Sequence, residues 1–182
     1  MKKIFAMSLV AGLASFTTPI LSANEISLAI SDELVDFRLT ADYEQDFFGR
    51  FAYLHTDQDE ITADQASFTF GTVGKLDKFD VMLGLRPYWI DAENETGYGV
   101  ALGAGVNIEI IPKFFAGAKA FYSPDVLTGG DIDNSLDIEL QLSFQVIDNG
   151  AIFAGYRDIE LDTEFGDIDI YDSYYVGVSL TF

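Results

Sequence analysis

Ser173-Tyr174-Tyr175-Val176-Gly177-Val178-Ser179-Leu180-Thr181-Phe182 closes the chain. Counted back in twos from the end, Phe182, Leu180, Val178, Val176 and Tyr174 are all apolar. The interleaved Thr181, Ser179, Gly177, Tyr175 and Ser173 are small or hydroxylated, apart from one tyrosine. That period of two marks a strand with one apolar and one polar face. A last strand ending on an aromatic residue is similar to the C-terminal signal of bacterial outer-membrane β-barrels, the segment through which the barrel assembly machinery would engage Phe182. A soluble sandwich can end on such a strand too, so the decision passes to the rest of the sequence.

The 182 residues suffice for one domain and contain no cysteine, which rules out disulfides and thiolate metal sites. A formal charge of -20 speaks against nucleic acid as a partner. Yet 49% of the residues are hydrophobic, so apolar and acidic character must be segregated in space. Outside the N-terminus no run approaches the ~18 apolar residues of a membrane-spanning helix, and any span must be made of strands. At the N-terminus, Lys2 and Lys3 precede an apolar run from Ile4 to Phe16, then Pro19 and the small Ser22 and Ala23. This pattern reads as a secretory signal peptide over residues 1–23, cleaved near Ala23. Its removal takes two lysines and no acid, which moves the net charge from -20 to -22.

Residues 24–182 repeat the closing pattern. Alternating segments cover about 26–30, 35–41, 47–54, 66–72, 81–89, 100–110, 114–122, 136–146, 152–156 and 173–182. Pro87 lacks a ladder donor and is expected near the upper end of its strand. Asp148-Asn149-Gly150 signals a hairpin through residues that tolerate positive φ. Short turns alternate with connections that, after the first, are longer and acidic: Thr56–Glu60, Asp91–Thr96, Ser123–Asp133 and Asp162–Asp169. Short periplasmic turns and longer outer loops are the asymmetry of an outer-membrane barrel. The expectation is an all-β fold, a transmembrane antiparallel up-and-down barrel of 10 strands with both termini in the periplasm. Eight strands is the alternative, if the first two segments or the short ninth do not complete the wall.

With the apolar register facing lipid, the other register faces the lumen. It holds Asp36, Arg38, Arg50, Asp80, Arg86, Glu109, Lys119, Asp137, Glu139 and Arg157. Mixed charges in so slim a bore must find partners, which makes a salt-bridged, mostly filled core or a narrow pore. Gly71, Gly84, Gly103, Gly105, Gly117, Gly155 and Gly177 share that register and are expected to leave water-sized space. Tyr53, Trp89, Tyr98, Tyr122, Tyr156 and Tyr174 suit interfacial aromatic girdles. Asp91, Glu93 and Glu95, or Asp125, Asp131 and Asp133, offer oxygen ligands to a divalent cation. Asp131 and Asp133 stand at i and i+2 as in calcium loops, without the full twelve-residue loop. A solvated acidic surface near lipopolysaccharide is the competing account. No other cofactor is expected. The single histidine, His55, has no serine near it in sequence to activate, so no catalytic residue is assigned and the chain is expected not to be an enzyme.

Phe121-Tyr122-Ser123-Pro124-Asp125-Val126-Leu127, then Ala154-Gly155-Tyr156-Arg157, then Tyr175 to Phe182, resemble the YfaZ family of bacterial outer-membrane proteins. The resemblance covers roughly Tyr98 to Phe182 and implies a porin-like outer-membrane barrel of a Gram-negative cell, with no activity to carry over. Tyr122, Pro124, Asp125 and Arg157 are the positions it highlights. Pro124 would pre-set a turn, and Asp125 would hydrogen-bond the backbone beyond it. The function expected is a porin-like or structural barrel with at most a narrow polar lumen, its selectivity set by Arg38, Arg50, Arg86, Lys119 and Arg157 against Asp137 and Glu139. The alternative is a surface binding module whose acidic loops engage divalent cations, lipopolysaccharide or an external partner.

Overall fold

The structure, a computed structural model, describes residues 24–43, 46–58, 61–92, 95–163 and 166–182. The expected signal peptide, its cleavage near Ala23, and Glu93 lie outside the described residues.

Ten strands close the wall: β1 (Glu25–Ile30), β2 (Leu34–Tyr43), β3 (Phe47–Gln58), β4 (Ile61–Leu76), β5 (Phe79–Ala92), β6 (Glu95–Ile111), β7 (Phe114–Ser123), β9 (Ile132–Ile147), β10 (Gly150–Thr163) and β11 (Gly166–Thr181). A three-residue strand, β8 (Thr128–Gly130), pairs with Gly97–Gly99 of β6 above the β7–β9 connection and takes no part in the wall. Every neighbouring pair is antiparallel. The six residues of β1 pair with β2 on one side and β11 on the other, and so close the sheet on itself. The first described residue meets the last at that seam, where Phe182 donates its backbone N–H to the Asn24 carbonyl at 2.8 Å.

The turns at the terminal end are tight. Asp77 and Lys113 hold the left-handed conformation, φ 58° and 71°, in two of them. The Asp148–Asn149 hairpin stands where the sequence signals it, but neither Asn149 nor Gly150 takes a positive φ, and a bulge between Gly150 and Ala151 accommodates the reversal instead. Pro87 lies in mid-strand rather than near an upper end, because β5 continues to Ala92. The β4–β5 ladder skips Arg86 and Pro87, where the proline has no N–H to give.

At the outer end three of the acidic segments read as loops are instead strand. β3 and β4 run to Gln58 and from Ile61, β5 and β6 to Ala92 and from Glu95, β10 and β11 to Thr163 and from Gly166. Strands of 16 residues, as in β4, β9 and β11, rise about 40 Å when tilted by ~40°, against an apolar band of ~25 Å. The excess is an acidic collar of hairpins beyond the membrane. Exposed Phe51, Phe70, Leu83, Leu102, Leu142 and Val176 form part of the lipid-facing surface. Tyr53, Trp89 and Tyr98 lie on one pairing row across β3–β6, while Tyr156 stacks against Tyr174 with ring centroids 5.4 Å apart.

Candidate functional site

The register that points inward from β2, β5, β7, β9 and β10 brings together Asp36, Arg38, Arg86, Lys119, Asp137, Glu139 and Arg157. Period two alone carries them there: Arg157, Glu139 and Lys119 are direct partners across three adjacent strands. Arg157 grips Asp137 with two bonds, Nε to Oδ1 at 2.9 Å and Nη2 to Oδ2 at 2.8 Å, and reaches Asp36 with Nη1 at 2.6 Å. Arg38 forks onto Glu139 at 3.1 and 2.8 Å and bonds Asp36 through Nε at 2.9 Å. Arg86 donates to Asp137 at 2.5 Å while its guanidinium lies 4.1 Å from the centroid of the Phe121 ring. Glu139 also receives Lys119 Nζ at 2.9 Å and the Tyr175 hydroxyl at 2.8 Å. Four cations thus share three carboxylates, and five of the six carboxylate oxygens accept a charged partner, while buried Asp36 Oδ1 and Arg86 Nε make no hydrogen bond.

Toward the outer end the same register turns apolar. Leu54 beyond Arg50, Ile90 beyond Arg86, and Ile159 and Leu161 beyond Arg157 are 2% exposed or less, packed with Ile132, Ile170 and Tyr171. Together with buried Gln65, which faces Leu54, and the Ser135 hydroxyl on Tyr88, these side chains fill the bore above the ion cluster. Gly105 and Gly117 line open space in the bore, but four of the seven lumen glycines leave no room for water. Each of the four faces an aromatic residue on the next strand, Gly71 with Phe48, Gly103 with Phe121, Gly155 with Tyr175 and Gly177 with Phe153. A Cβ on any of them would come within 2.2–2.5 Å of the facing ring or its hydroxyl. These glycines are seats for rings that fill the bore. Below the ion cluster, a cavity of about 720 Å³ opens toward the terminal end, with Arg38, Arg50, Lys119 and Glu139 among its lining.

Three expected lumen residues stand apart from the cluster, and of these Asp80 lines the cavity near its mouth, 3.9 Å from Lys75. Arg50 faces the cavity, with Nε donating to Thr40 Oγ1 at 2.9 Å and the guanidinium over Phe48. Glu109 keeps the lumen register, opposite Phe115, but lies exposed at the end of the strand and accepts the Lys113 backbone N–H at 3.0 Å; the bulge between Glu109 and Ile111 comes after it.

A family model described as YfaZ precursor matches residues 1–182. The chain belongs to the YfaZ family. This YfaZ-family member is an outer-membrane β-barrel made as a precursor with a signal peptide. It is similar in fold to a KdgM porin in complex with disordered oligogalacturonate, at 10% identity and TM-score 0.50, over 87% of this chain and 98% of that one. A KdgM porin structure matches at 11% and 0.49 over the same shares, and a NanC porin at 10% and 0.47 over 87% and 99%. Among curated proteins none matches.

In this YfaZ-family barrel the Tyr-Ser-Pro-Asp segment builds the one long outer connection. Tyr122 is exposed on the outer wall and Ser123 is buried, its hydroxyl on the Val100 carbonyl. Pro124 introduces a single 3-10 turn, Asp125–Leu127. The bonds that close it go to the Asp125 carbonyl, from the Thr128 N–H and from Thr128 Oγ1 at 2.9 Å, and not to the Asp125 carboxylate. Asp131 caps the Thr96 backbone N–H at 3.1 Å, and Asp133 is exposed. Among the described residues no three acidic or histidine side chains converge as metal ligands. His55 Nδ1 lies 2.9 Å from Asp64 Oδ1, which also accepts the Tyr53 hydroxyl at 2.6 Å; no serine joins them among the described residues.

The sequence reading missed the apolar seal and Tyr175. The signal for the seal was present, since Leu54, Ile90, Ile159 and Leu161 simply continue the period of Arg50, Arg86 and Arg157.

Proposed function

We propose that this protein is a porin-like barrel held shut, a structural element of the outer membrane and not an open channel or an enzyme. The observation that carries this reading is the two-part closure of the lumen: the seven-residue ion cluster, and above it the fully buried Leu54, Ile90, Ile159 and Leu161. An ion crossing that layer would exchange its hydration shell for a few neutral polar groups, at a cost of several kcal/mol even when partly relaxed. The test is conductance in planar bilayers. The refolded mature chain stays silent, and Leu54→Ala/Ile90→Ala/Leu161→Ala opens discrete steps; steps from the unsubstituted chain would refute the proposal.

A second reading is favoured by one feature of the collar. On the β10–β11 hairpin, Asp158 faces Asp172, Glu160 faces Asp169 and Asp162 faces Asp167, three acid–acid pairs in succession. Like charges directly opposed are destabilising, so the hairpin calls for counter-cations. Outside residues 1–23 the basic residues are Arg38, Arg50, Lys75, Lys78, Arg86, Lys113, Lys119 and Arg157, all in the lumen register or at the terminal-end turns. None is available to the collar. In this reading divalent cations, shared with lipopolysaccharide phosphates, fill that role. Addition of about 5 mM Mg²⁺ then raises the protease resistance of the hairpin, and an unchanged digestion pattern would count against it.

A further inference from the structure

The closed lumen leaves the terminal-end cavity as a blind cup, and the cup is charged in layers. Its deep layer carries three cations, Arg38, Arg50 and Lys119, against Glu139 and against Glu25, which lies on the pairing row of Arg50. Arg38 is fully engaged with Asp36 and Glu139, but among the described residues Arg50 has no carboxylate within ion-pair distance, and its two Nη atoms make no hydrogen bond. Lys119 spends one contact on Glu139, which already serves Arg38 and Tyr175. A free guanidinium fork beside an ammonium group is complementary to a carboxylate, which it can bind with two parallel bonds.

The next layer toward the mouth is acidic. Asp42 lies two residues nearer the terminal end than Thr40, the direct partner of Arg50. Asp80 lies two residues nearer that end than Met82, which shares the row of Lys119 through Gly105. Both aspartates line the cavity. Asp42 makes no ion pair, and Asp80 has only a 3.9 Å contact with the exposed Lys75. Two residues of strand separate the layers by ~7 Å. A polyanion entering the cup would meet the aspartates first and be repelled, and a simple cation would meet Arg50 and Lys119 behind them.

We infer that the cup is a binding site for a short zwitterionic peptide of about two residues, its carboxylate on Arg50 and Lys119 and its ammonium on Asp42 and Asp80. An extended chain spans 3.3–3.6 Å per residue, so a dipeptide places its two charged ends ~7 Å apart, matching the layer spacing. A cavity of about 720 Å³ accommodates it with hydration to spare. Gln141 and Ser143, which follow Glu139 toward the mouth along β9, line the wall and can serve the peptide bond. The inference rests on the lumen being closed, since a blind cup retains what an open channel would pass.

The test is isothermal titration of the full mature chain refolded in nanodiscs, with alanyl-alanine as the probe. Alanyl-alanine binds at least about tenfold more tightly than its N-acetyl form or its C-terminal amide. Arg50→Gln abolishes the preference over the amide and leaves the preference over the N-acetyl form. Asp42→Asn/Asp80→Asn does the reverse, and circular dichroism certifies each variant as folded. Equal affinity for all three peptides, or no binding of alanyl-alanine by folded protein at about 10 mM, overturns the inference. Conductance of the same preparation separates the two ideas: discrete steps would refute the closed lumen, whereas a silent barrel that ignores all three peptides would refute the cup alone.

Discussion

Glu139→Gln removes one charge from the centre of the ion cluster while keeping the side chain's size. In the folded barrel Glu139 is 2% exposed and accepts two bonds from Arg38, one from Lys119 and one from Tyr175. The glutamine retains one carbonyl acceptor but presents an NH₂ to donors on its other side. Arg38 is then left with Asp36, which is already shared with Arg157, and Lys119 loses its one ion pair among the described residues. Breaking a buried pair from one side costs about 3–5 kcal/mol, and we expect that loss in urea unfolding of the barrel in detergent micelles. Lys119→Met alone should cost less than about 1 kcal/mol, because it removes the surplus cation from a site where cations outnumber carboxylates and the amine borders the cup. The double variant should then recover about 1–2 kcal/mol of the Glu139→Gln loss, since the two residues are coupled through one contact. If Glu139→Gln costs less than about 1 kcal/mol, or if Lys119→Met deepens its effect, the cluster is not what holds the lumen together.

Gly103→Ala places a methyl group 2.2 Å from Phe121 ring atoms, and the overpacking should destabilise the barrel by about 1–3 kcal/mol in the same assay. Phe121→Leu in that background should restore part of the loss. Asp172 and Asp169 hold the Asp158 carboxyl above its ordinary range together with the larger effect of burial, and Asp158 does the same to Glu160. Groups raised in the folded state stabilise it below their unfolded values, about pH 4, and that contribution is lost as pH rises through the raised ones. Protection against hydrogen exchange at the β10–β11 tip, taken relative to the intrinsic rate at each pH, should therefore be greatest in acid and fall toward neutrality, and Asp172→Asn should flatten that profile. His55→Ala should leave lipid composition unchanged when the protein is expressed in an outer membrane. A change in acylation pattern that tracks the substitution would restore the case for catalysis at the His55–Asp64 pair.

The wall was legible because lipid and lumen impose period two on every strand, and the charges of the ion cluster fall on one side of that period without exception from Arg38 to Arg157. What alternation cannot supply is the pairing partner. Nothing local says that Gly103 lies under Phe121, so such glycines read as open space when they are ring seats. Acidic runs such as Asp162–Asp169 read as loops because facing carboxylates oppose strand pairing. Here the hairpin forms regardless, continuing the ladder already established in the membrane, at the expense of the repulsion noted above.

The paired glycines and rings carry a consequence for how such a wall finds its alignment. Strands slide past one another in steps of two without exchanging their faces, so the lipid surface alone cannot distinguish the correct offset from one displaced by two residues. A ring that needs a bare backbone opposite it can. Displaced by two, Phe121 would confront Ala101 or Gly105 in place of Gly103, and Phe153 would confront Tyr175 or Ser179 in place of Gly177. Most of those positions carry a side chain where the ring must lie. Each such pair works as a key and ward between adjoining staves, and together they let a barrel with almost no outer loops assemble in a single alignment.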